Sequence, residues 1–145
     1  MRYLERAALA GIATGMRSTS AVAALIATEA PGLPTLVTGP VATAIAGLGV
    51  TSELILDKLP STPSRLEPSG LAGRVVLASI AGIVIARGTK HAVFPAVFVA
   101  SVAALLSARV FHDIRQAAAT HLSPSHVATV EDALALSLAA AGART

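Results

Sequence analysis

Cysteine is absent from all 145 residues, which excludes disulfides, CxxC redox chemistry and thiolate metal sites without identifying a compartment. Tryptophan is absent too, and the aromatics amount to one Tyr and three Phe. Bases would find almost nothing to stack on, and the aromatic belts that mark membrane interfaces are nearly missing. Charge is scarce, at 13% Asp, Glu, Lys and Arg against about 25% in a soluble domain. The net charge of +3 is dispersed with no Lys/Arg block, which argues against a nucleic-acid partner. There is no GxSxG, no P-loop, no GxGxxG followed by an acid, and no Asp-rich motif of the metal-dependent phosphotransferase kind. His91, His112, His121 and His126 form no HExxH pattern, so the expectation is no enzyme, no metal and no cofactor.

Apolar residues fill that space. They make up 54% of the chain, and the mean hydropathy is +0.72. Apolar segments lie near residues 4–28, 35–56, 70–87 and 92–111, each long enough to approach or cross a hydrocarbon layer of about 30 Å. A fifth, 124–143, is long enough but carries Glu131 and Asp132. The expected fold is all-α, a polytopic transmembrane helical bundle of four to five helices, forming one membrane domain over 1–145 in a bacterial plasma membrane, with membrane lipids as its surroundings. The start, MRYLERAALAGIATGMR, begins like a signal peptide. Glu5, Arg17 and the hydrophobic segments that follow make it a retained first membrane helix instead.

The joints are punctuated by APGLP at 30–34, PSTPSRLEPSG at 60–70, RGTKH at 87–91 and THLSPS at 120–125. In the last of these, Ser123 is a candidate N-cap with Pro124 at the first helical position. The cations Arg2, Arg6, Lys58, Arg65, Arg109 and Arg115, with Arg74 just inside, fall on one side of such a bundle, and Arg87, Lys90 and Arg144 on the other. By the positive-inside rule the N-terminus is then cytoplasmic and, if the fifth helix spans, the C-terminus is outside. Gly11 with Gly15, Ala78 with Gly82, and the ladder Ala96, Ala100, Ala104 and Ala108 offer close helix packing. The ladder is the expected seam of a homo-oligomer, because so small a bundle encloses little volume. Arg17 and Arg74, with Asp57 and Asp113, sit at corresponding places in two halves, which leaves duplication and chance both open.

The buried charges carry the chemistry. An Arg at mid-helix costs roughly 2.5–3.5 kcal/mol on insertion scales, so Arg17 must face protein or water and find a partner. Its setting, TGMRSTS, is one in which a helix can loosen and free N–H groups to bind an anion. Glu53 and Asp57 share a helix face at i and i+4. Arg74, Glu131 and Asp132 complete a polar site, beside the loop cations Lys58 and Arg65. Two readings stay open. The group could be a ligand site, binding an anionic small molecule or lipid headgroup or coupling protons in a small transporter. It could equally be an ion-pair network that only holds the bundle, in a protein that docks a partner through its proline-rich loop.

GMRSTS, then ELILDKLPSTPSRLEPSGLAGR, then VEDALAL resemble, in order and over most of the chain, the small bacterial integral membrane proteins of domain of unknown function 4126. DKLPSTPSR is the specific part. The resemblance implies that Gly15, Arg17, Glu53, Asp57, Lys58, Pro60, Arg65, Arg74, Glu131 and Asp132 belong to the family's shared core, and it supplies no activity. Ser20 and Ala21 stand where members of that family often carry proline after the Arg, a departure that argues against a broken first helix.

Overall fold

The computed structural model describes residues 2–56, 67–118 and 123–144. Asp57, Lys58 and Arg65, and with them most of DKLPSTPSR, lie outside the described residues. The described residues form an all-α fold with no strand. Its helices are α1 (Tyr3–Met16), α2 (Ser20–Ala27), α3 (Pro40–Leu56), α4 (Pro68–Gly88), α5 (Val93–Ala118) and α6 (Pro124–Ala143), with a 3₁₀ turn at Thr35–Val37. Four of the five expected segments correspond to α3 to α6. α5 runs past residue 111 because HDIRQAA is polar but helix-competent, with Arg109 and Asp113 paired across one turn at 3.4 Å. Ser123 is the N-cap of α6 with proline following, and its hydroxyl bonds His126 Nδ1 at 2.8 Å.

The first segment is where expectation and structure part. Residues 4–28 are two helices in antiparallel array. α1 runs alongside α5 in the same direction: Tyr3 stacks on His91, Gly11 meets the Ala100 backbone, and Gly15 meets Ala104 and Ser107. α2 then turns back, and the following segment brings Gly32 against the Val84 carbonyl and Gly88 amide, near the end where α1 began. The 14 residues of α1 reach only about 21 Å at the helical rise, and the reversal at Arg17–Thr19 falls beside the middle of α5. Arg17 is the cause. It is extended at φ −138° and ψ 112°, while Ser18, Thr19 and Ser20 supply residue types that start helices rather than continue them.

Beyond the hairpin the chain alternates direction. The Arg6 side chain meets the end of α6 through the Gly142 and Ala143 carbonyls, so the two termini share one end of the bundle. Glu53, Glu67 and the start of α6 lie toward the other. Three sequence expectations change. Arg2 and Arg6 sit with Arg87, Lys90 and Arg144, opposite Arg109 and Arg115. The C-terminus lies at the end of the N-terminus. The Ala96, Ala100, Ala104 and Ala108 ladder is buried within the chain against α1 and α4, so it is not a surface for a second copy.

Packing is inverted in residue size. The core is mainly alanine, with Met16, Leu25 and Ile85 its largest fully buried apolar side chains, while Phe94, Phe98, Leu106, Val41 and Ile45 are exposed. Two helices, α4 and α5, are long and apolar enough to cross a membrane. Only 39% and 28% of their apolar windows are buried inside the chain, so neither behaves as the core helix of a soluble domain, in which apolar side chains face in. Small seams and large apolar exteriors are the pattern expected where lipid surrounds the helices.

Candidate functional site

The hairpin tip gathers the buried polar groups. Breaking a helix leaves unpaired carbonyls behind and unpaired N–H groups ahead, and in an apolar bundle each must be met. On the carbonyl side, Arg17 N–H donates to Ala13 at 2.8 Å. Ser107 Oγ donates to the Ile12 carbonyl at 3.1 Å, and Arg74 Nε to the Gly15 carbonyl at 3.2 Å. The Arg17 carbonyl accepts from Ser20 Oγ at 2.8 Å. On the N–H side, Glu53 reaches across from α3. Its Oε1 accepts from Ser18 N–H at 2.6 Å, and its Oε2 from Thr19 N–H at 2.9 Å and Thr19 Oγ1 at 2.7 Å. A carboxylate thus caps the start of α2, where the helix dipole also favours negative charge.

The Arg17 guanidinium is 3% exposed and donates through Nε to Asp132 Oδ1 at 2.6 Å, with an ion pair from the same guanidinium to the same oxygen. This bond ties the tip to α6. Arg74, 5% exposed, sits nearly two turns inside α4 and also donates to the Gly70 carbonyl at 3.4 Å. Gly15 permits the assembly: a Cβ there would lie 1.9 Å from Ser107 Oγ and 2.3 Å from the Ala104 carbonyl.

Of the residues marked in the sequence, the structure brings Arg17, Glu53, Arg74 and Asp132 to the tip. Glu131, beside Asp132, faces another way and is held by Arg115, with Nε at 3.0 Å and Nη2 closer still. The N–H groups of Ser18 and Thr19 next to Arg17 are met by the carboxylate of the chain's own Glu53. Sequence reasoning missed Arg115 as the partner of Glu131. The signal lay in an Arg one turn before the end of α5 facing a Glu two turns into the next antiparallel helix. It also treated Arg6 as a topology cation, whereas Arg6 is buried and caps the last carbonyls of α6. Among the described residues no group of three or more His, Asp or Glu gathers as a metal site, and no buried side-chain polar atom lacks a partner.

Comparison with protein-family models, with curated proteins and with solved structures finds no match for this chain.

Proposed function

We propose that this chain is a multi-pass protein of a bacterial plasma membrane that binds or passes an anionic solute, or couples protons, at the hairpin tip. In this reading α3 to α6 cross the bilayer and α1–α2 is a re-entrant hairpin. The observation that carries it is Glu53: two backbone N–H groups and a hydroxyl at the hairpin tip already hold a carboxylate. When Glu53 withdraws with α3, the same donors beside Arg17 are open to an external anion. Helix breaks with N–H groups turned toward a central site recur in transporters, and irregular backbone at membrane depth is tolerated only inside protein or along a water path. Asp57, Lys58 and Arg65 are assigned to recruitment or gating, and kinship with the uncharacterised membrane family rests on DKLPSTPSR. Among the described residues Arg2, Arg6, Arg87, Lys90 and Arg144 lie at the end of the N-terminus, against Arg74, Arg109 and Arg115 toward the other, which in this reading favours a cytoplasmic N-terminus.

The test is flux. Proteoliposomes loaded with anion-sensitive and pH-sensitive dyes should report passage above protein-free vesicles, and Glu53→Gln, which removes the resident charge, should raise anion passage. A second reading has its own observation. Every buried charge at the tip is satisfied within the chain, as a purely structural or accessory protein would require. Absence of flux in both proteins, with Glu53→Gln only less stable, would establish that reading and sink the first.

A further inference from the structure

α5 and α6 are consecutive in the chain yet scarcely touch, since α5 packs on α1 and α4 while α6 packs on α1 and α2. Between them, toward the Glu131 end, lies a cavity of about 250 Å³ walled by Phe111, Ile114, Val130 and Leu134, with Arg115 and Glu131 beside them. Ile114 and Val130 are exposed, so the cavity is a groove that opens sideways from the bundle. Arg115 bridges it to Glu131. Glu131 is buried, but the Arg115 side chain is 34% exposed. Two of its N–H groups reach Glu131, and a guanidinium carries about five.

We infer that this groove seats one acyl chain of an anionic phospholipid, with the lipid phosphate on Arg115. A hydrated free anion reaches only the exposed part of the guanidinium and leaves the apolar walls at Phe111, Ile114 and Val130 uncovered. A phospholipid brings its own apolar chain to cover those walls and a phosphate suited to the planar fork of Arg. Arg115 lies one turn from the end of α5, the level at which a headgroup sits when a helix of this length crosses a bilayer. The inference rests on the membrane reading above but not on the hairpin tip or on any flux.

The experiment is native mass spectrometry of the detergent-solubilised chain offered phosphatidylglycerol or, as the lipid without a phosphate, diacylglycerol with identical acyl chains. Wild type should retain one phosphatidylglycerol about tenfold more strongly than diacylglycerol, the size of one charge-assisted hydrogen bond. Arg115→Gln combined with Glu131→Gln keeps a polar pair across the groove and should make the two lipids equal. Val127→Trp, or Ala118→Leu if the first does not fold, fills the groove and should lower retention of both, with helicity unchanged by circular dichroism. Equal retention by wild type, full retention by the filled groove, or displacement by millimolar inorganic phosphate overturns the proposal. Recovery of the chain in the soluble fraction without detergent overturns it together with the membrane reading.

Discussion

Two helical hairpins of similar composition meet opposite demands in this molecule. α4–α5 reverses at the end of the bundle, through Thr89 to Ala92. There the turn needs little beyond its own backbone: His91 N–H bonds the Ala86 carbonyl at 2.9 Å, and Lys90 takes the left-handed conformation at φ 56° that closes many helices. α1–α2 reverses beside the middle of α5, and its turn draws Arg74, Ser107 and Glu53 from three other helices. Depth is the difference. A backbone group at the rim can turn to water, whereas one inside an apolar bundle must be met by a side chain or costs free energy comparable to a lost hydrogen bond.

The comparison can be broken most completely at the level of topology. The natural chain has no cysteine, so Arg2→Cys and Arg144→Cys report cleanly to a membrane-impermeant maleimide. Both should react from the same side, and reaction from opposite sides would restore a single spanning helix over 4–28. Next in size is Asp132→Ala, which removes an ion-pair partner of the buried Arg17 guanidinium and should cost about 3–5 kcal/mol, read as loss of folded protein in a detergent melt. Arg17→Met with Asp132→Leu should recover most of that loss, because a buried pair replaced as a whole leaves no orphan charge. Gly15→Ala should cost about 1–3 kcal/mol, because the added methyl meets not only the Ser107 hydroxyl at 1.9 Å but also the Ala104 carbonyl at 2.3 Å, and the backbone cannot turn aside. Gly47→Ala on α3, where nothing lies within 4 Å, should instead gain up to about 1 kcal/mol. Thr89→Ala at the rim turn removes a hydroxyl bond to the Ile85 carbonyl at 2.8 Å and should cost no more than about 1 kcal/mol. If it matches Asp132→Ala, depth is not what separates the hairpins.

Much of this was legible along the chain. Hydrophobic length and Pro/Gly punctuation located α3, α4 and α6 to within a few residues, because those helices depend on local composition and on breakers that act where they stand. Arg17, Glu53, Arg74 and Asp132 stood out because charge is rare in apolar sequence and must be compensated. The direction taken after Arg17 was not legible. TGMRSTS permits a loosened straight helix as readily as a reversal, and the missing proline at Ser20 and Ala21 favoured the former. The Ala96 to Ala108 ladder misled for a related reason: small residues at a four-residue spacing announce a close neighbour without saying whether it is α1 of the same chain or another copy.

The sequence by itself determined that the chain is helical, that it is rich in apolar residues and poor in charge, and which few charges need partners, since each of these follows from composition and local spacing. Only the tertiary structure decided that the first segment is a hairpin, that Glu53 caps it from α3, and that Arg115 pairs with Glu131. Each of those pairings closes a loop of 16 residues or more, and which of several chemically equivalent partners is reached depends on how whole helices pack.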